Sequence, residues 1–213
     1  MSIKVVPDFY VRNTVVEVPV VEEYFPGIFS VRTCLYVGIR PQGWGGCESP
    51  NSLEQALLKI TMEMGAVDGI EIWPPYVKRL RENPPAWLNY LWQRDICDIE
   101  TRLKISPVRY ELVVWWHGPE HAQTPTAGLR ALANCEYVCF GKVLLGTPWG
   151  KSQNTQWAGF EGEADNPHEA HGWELTPDEL DDLGYEVIAL NCRRPEEKDR
   201  TPCGHLIACR EVS

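Results

Sequence analysis

Short β-branched runs cut by proline dominate the first forty residues. They are Val5-Val6, Val15-Val16, Val18, Val20-Val21 and the stretch from Ile28 to Ile39, interrupted by Pro7, Pro19 and Pro26. Such runs favour extended backbone. A proline within them belongs at a sheet edge or a bulge, because it lacks an N–H for the ladder. After the glycine-rich loop Gln42-Gly-Trp-Gly-Gly-Cys47 the period changes. Leu53, Ala56, Leu57, Ile60 and Met64 recur at helical spacing, with Asn51 or Ser52 to cap the helix and Gly65 to end it.

Ile70 to Trp73 reads as a short strand halted by Pro74-Pro75. Tyr76 to Arg81 and Ala86 to Arg94 read as two short helices split by Asn83-Pro84-Pro85. Arg102 to Ile105 and Val108 to Trp116 pair as a hairpin across Ser106-Pro107. Ala127 to Ala133 is a helix begun by Thr124 or Thr126, and Tyr137 to Leu145 a strand. From Gly146 to Gly172 the pattern dissolves into Gly, Pro, Asn and acids, a stretch longer than most loops of a compact domain. Thr176-Pro-Asp-Glu-Leu starts a helix that Gly184 closes, and Tyr185 to Cys192 and His205 to Val212 are strands. The sum is an α+β fold: a mainly antiparallel sheet with a few short helices in a compact single domain. Residues 1–145 form its core, and 146–213 form an acidic, loop-rich segment packed on it.

Charge sharpens that division. The 213-residue chain has a net charge of −10, and residues 151–213 alone carry 14 acidic against 6 basic side chains. Such a face repels polyphosphate, so direct nucleic-acid binding is not expected, whereas a protein partner with a basic surface is. The apolar fraction of 44% and mean hydropathy of −0.29 belong to a globular chain. Leu112 to Trp116, the longest nearly uncharged apolar stretch, is far too short to span a bilayer. The first residues lack the apolar core of a signal peptide. The expected setting is therefore cytoplasmic, with the eight cysteines as free thiols or metal ligands.

Local motifs for chemistry fail on spacing. Gly146-Thr-Pro-Trp-Gly150-Lys151-Ser152 has one residue too few for a phosphate-wrapping loop, and no apolar helix follows it. His117-Gly-Pro-Glu120-His121 has the letters of a zinc-peptidase helix, but Gly118-Pro119 makes it a polar turn leaving a strand. Cys192, Cys203, His205 and Cys209 lack a tight cysteine pair. On a strand, His205 and Cys209 lie about 13 Å apart, too far for one zinc. Glu161-Gly-Glu163-Ala-Asp165-Asn-Pro-His168-Glu169-Ala-His171 is richer. If any metal binds, whether zinc or another divalent ion, His168, His171 and Asp165 are the candidates. No catalytic residue is assignable and no cofactor is expected.

Nine tryptophans remain to be placed. Trp73, Trp87, Trp92, Trp115 and Trp116 lie in predicted helices and strands and belong to the core. Trp44, Trp149, Trp157 and Trp173 lie in glycine- and proline-rich loops, where rigid aromatic anchors suit a binding surface. The composition is similar in kind to that of immunity proteins and phage-encoded inhibitors, a resemblance that identifies no residue. The expectation is an acidic, non-enzymatic protein that binds, and inhibits, a macromolecular partner with a basic surface. Trp149, Trp157, Trp173, Glu161, Glu163 and Asp165 would form its interface. The alternatives are a metal-dependent hydrolase centred on the His168/His171 loop, and a carbohydrate or small-ligand module using Trp44, Trp149 and Trp157.

Overall fold

The computed structural model describes residues 3–9, 18–39, 41, 53–105, 109–150, 166–168, 170–192 and 203–212. In chain order the elements begin with β1 (Lys4–Phe9), α1 (Val18–Tyr24), β2 (Thr33–Val37), α2 (Leu53–Met62) and β3 (Ala66–Glu71). Next come α3 (Pro74–Glu82), β4 (Leu88–Gln93), α4 (Ile99–Ile105) and β5 (Tyr110–Trp116). A 3₁₀ turn (Pro119–His121) precedes α5 (Pro125–Val138), β6 (Cys139–Gly150), α6 (Pro177–Asp182), β7 (Glu186–Cys192) and β8 (Cys203–Glu211).

The eight strands among the described residues form one sheet in the order β1-β7-β8-β6-β5-β2-β3-β4. Only β8 runs antiparallel to its neighbours, β6 and β7; every other pairing is parallel. The central strand β5 is an unbroken apolar run because both of its faces are covered. Val113 and Trp115 join Leu35, Val143 and Leu145 against α5 and α6. Leu112, Val114 and Trp116 join Cys34 and Leu144 against α1, α2 and α3.

The expected mainly antiparallel α+β sheet is therefore wrong: the fold is α/β. Three segments account for the error. Residues 18–24 are a helix despite their valines, 88–93 are an edge strand rather than a helix, and 99–105 are a helix rather than a hairpin arm. Exchanging those element types hides a regular β-α-β alternation, whose helical crossovers bring successive strands in parallel.

Helix boundaries follow the local chemistry more faithfully. Thr124 caps α5 by accepting the Ala127 N–H at 3.1 Å. Thr176 and Glu179 form a reciprocal capping box on α6, and Gly184 leaves that helix with φ of +84°.

Candidate active site

The strand order reverses its direction of travel beside β2. From β2 the chain steps outward through β3 to β4, then returns to β5 on the other flank and proceeds to β6. At such a switch point the loops leaving neighbouring strands diverge and open a crevice beyond their carboxyl ends. A cavity of about 320 Å³ lies there, a size typical of small-ligand sites.

Each strand end contributes a distinct wall group. Gly38 follows β2 with φ of +78°, and a Cβ added to it would meet nothing within 4 Å, so the turn lies open to a ligand. Glu71 ends β3; its side chain is buried, with Oε1 accepting the Trp73 N–H at 2.7 Å. Asp95 follows β4 and accepts the Cys97 N–H at 2.8 Å. Gly118 follows β5, where any side chain would strike the Trp115 indole, so glycine lets the turn fold over that ring.

All five histidines of the chain lie at the cavity or against a histidine that lines it. His117, His121 and His168 line the cavity. The His205 ring lies 4.8 Å from that of His117, and the His171 ring 5.0 Å from that of His121. Glu120 sits among them, 2% exposed, with Oε1 3.6 Å from His117 Nδ1 and 3.9 Å from His121 Nε2. Its Oε2 accepts the Thr147 hydroxyl at 3.1 Å. Burial alone would raise the Glu120 pKa. The neighbouring His117 and His121 imidazoles outweigh it and bring the group to about 2. His117 has φ of +49°, a strained conformation for a residue with a Cβ, fixed by its N–H bond to the Gly146 carbonyl at 2.8 Å.

Burial, then the neighbouring His117, push the His205 imidazole well below its usual range, against a smaller opposing effect of Glu120. The unfolded chain therefore binds a proton at His205 below about pH 6.5 that the folded chain refuses, and stability falls as the pH is lowered through that range. The slope is about 1.4 kcal/mol per pH unit for one such group. Urea unfolding at pH 7.5 and 5.5 should show a smaller acid loss in His205→Phe than in the wild type. Equal losses would mean that His205 is protonated in the folded protein.

Of the residues expected at a partner surface, Trp149 and Trp173 are among the described residues. Trp173 is buried, its indole filling the space left by the missing side chain of Gly128. Trp149 is half-buried on β6 opposite Gly204. Trp44, Trp157, Glu161, Glu163 and Asp165 lie outside the described residues. His168 and His171 do reach the cavity region, where His171 meets Glu120 and His121. Sequence reasoning missed Gly38, Glu71, Asp95 and the role of Glu120. The available signal was a β-α-β unit from Thr33 to Glu71, with glycines after its first strand and an acid closing its second.

No protein-family model matches the chain, and no curated protein matches it in sequence. Among solved structures, TehB from Haemophilus influenzae superposes with a TM-score of 0.56 at 12% identity, over 95% of this chain and 64% of its own. The N-methyltransferase NodS from Bradyrhizobium japonicum WM9, in complex with S-adenosyl-l-homocysteine, gives 0.53 at 13% identity, over 91% and 86% of the two chains. A putative S-adenosylmethionine-dependent methyltransferase from Listeria monocytogenes gives 0.52 at 14% identity, over 90% and 95%.

At these identities the likeness is one of fold, a Rossmann-like α/β sheet shared with methyltransferases. It overturns the expectation of an acidic, non-enzymatic binder or inhibitor, and that of a metal-dependent hydrolase. The expectation of no cofactor falls with them, because this fold has been solved around S-adenosyl-l-homocysteine in NodS. Among the described residues no helix is long and apolar enough to cross a membrane.

Proposed function

We propose that the protein is an S-adenosylmethionine-dependent methyltransferase. One observation carries the reading: the open turn at Gly38 and the buried carboxylate of Glu71 stand at adjacent strand ends and line one cavity beside the switch point. A ribose diol presents two hydroxyl donors, and an acid at this strand end is the group that accepts from them in Rossmann-like sites. Ile70 and Ile96 offer apolar contact to a purine, and Asp95 offers a carboxylate to its exocyclic amine. The Tyr76 and Trp115 rings suit a sulfonium charge.

The cofactor supplies an activated methyl group, whose transfer to an O–H or N–H acceptor breaks the sulfur–methyl bond, forms the new methyl bond and releases one proton. His117 is the group placed to take that proton. It lines the cavity, its backbone is pinned by Gly146, and its Nδ1 faces the buried Glu120. Glu120 acts as a positioning residue, itself oriented by Thr147. Cys34, Cys97, Cys135, Cys139 and Cys209 are free, which supports placing the protein in the cytoplasm.

Calorimetric titration tests the reading. S-Adenosylmethionine and S-adenosyl-l-homocysteine should bind one per chain in the micromolar range, with ATP and NAD⁺ giving no saturable heat. No binding of either sulfur nucleoside up to about 1 mM, a standard free energy of only about −4 kcal/mol, would overturn it.

A further inference from the structure

We infer that Glu120, His121 and His171 form a binding site for a borderline divalent cation, of the zinc or cobalt type, at the edge of the cavity. One carboxylate oxygen and two imidazole nitrogens from these residues lie within 4.8 Å of one another. The Glu120 Oε1 to His121 Nε2 separation is 3.9 Å, well beyond a hydrogen bond. Two ligands on a tetrahedral ion with arms of 2.0–2.1 Å stand about 3.3 Å apart, so this pair must close by only about half an ångström.

The architecture holds these donors together across fifty residues of sequence. The Gly172 and Trp173 N–H groups both donate to the Glu120 carbonyl, at 2.9 and 3.3 Å, so the segment carrying His171 is tied to the 3₁₀ turn carrying the other two. Gly172 permits that approach: a Cβ there would lie 2.5 Å from the Ala122 carbonyl oxygen. Trp173, wedged against Gly128, locks the segment from its other end. The Thr147 hydroxyl on Oε2 turns Oε1 toward the imidazoles, the kind of outer contact that aims a ligating carboxylate.

The donor set selects the ion class. Two nitrogens and one oxygen are too few oxygens for calcium or magnesium, and no thiolate is present to favour a soft ion. Three protein ligands leave at least one coordination position open, the mark of a site that accepts water or a substrate oxygen. Because His121 lines the cavity, a cation held there would grip an oxygen-bearing acceptor and ease loss of its proton. That acceptor role rests on the methyltransferase reading; the binding of the ion does not.

The test uses the full chain, stripped with chelator and titrated with Co²⁺, which reports its ligands through visible absorption. The expected result is one Co²⁺ per chain with imidazole-type bands, displaced by Zn²⁺. His171→Gln should weaken binding at least tenfold. Because Glu120 is buried, Glu120→Gln can unfold the chain. His171, only half-buried, keeps the test decisive, with folding checked by circular dichroism. No Co²⁺ binding, or equal binding by a folded His171→Gln variant, overturns the site. S-Adenosyl-l-homocysteine is titrated into the same samples: cofactor binding without cation binding sinks only the metal site, and the converse sinks only the methyltransferase reading.

Discussion

Replacing Glu71 by alanine is expected to weaken S-adenosyl-l-homocysteine binding by about 10- to 100-fold, with the protein still folded. A hydrogen bond to a charged acceptor contributes about 1.5–3 kcal/mol, and each 1.4 kcal/mol is a factor of ten. Glu71 also accepts the Trp73 N–H at the start of α3, so the variant should lose about 1 kcal/mol of stability as well. Two measurements separate these effects: calorimetric titration for affinity and urea unfolding for stability. Glu71→Gln keeps an oxygen for Trp73 but gives up the charge, so it should retain most of the stability and little of the affinity. An alanine variant that binds as tightly as the wild type would remove Glu71 from the cofactor site.

Trp173→Ala should cost about 3–5 kcal/mol, the range for emptying a buried aromatic position. The indole is 4% exposed and fills the hollow above Gly128 on α5, within the larger core cluster. Were Trp173 the exposed anchor that its His-Gly-Trp-Glu setting suggests, the loss would be within about 0.5 kcal/mol. Urea midpoints distinguish the two cleanly. Gly128→Leu makes the reciprocal point by forcing the ring out from the other side, and its loss should be comparable. Both changes loosen the segment that brings His171 to Glu120, so both should also weaken Co²⁺ binding.

Capping chemistry was legible because it is local. Thr124, Thr176, Glu179 and Gly184 act within four residues of themselves, and the helices begin where those residues place them, although α5 runs past its expected end at Ala133 to Val138. Strand pairing was not legible, because residues far away decide it. Leu88, Leu91 and Trp92 have helical spacing, yet they form an edge strand whose register is set by Val67 to Glu71. Val18 to Tyr24 is rich in β-branched residues, yet the apolar face it packs against makes it a helix.

The candidate site suffered most from this. The histidines fall in three separate sequence motifs, of which only the one carrying His168 and His171 was kept as a metal candidate. Their convergence depends on β5, β6 and β8 lying side by side. Glu71 takes on meaning only once Thr33 to Glu71 is read as a β-α-β unit whose strands are parallel neighbours.

The antiparallel strand β8 also sets a timetable. β1 and β7 join the remainder of the sheet only through β8, which pairs with β7 on one side and β6 on the other. The ribosome must therefore deliver residues 203–211 before β1 and β7 can join the rest of the sheet. Until then β6 presents a bare edge, along with the apolar faces that Ile207 and Ala208 will cover. Synthesis of this protein thus passes through a nascent species with an open sheet, the stage at which chaperone engagement is most needed and aggregation most readily begins.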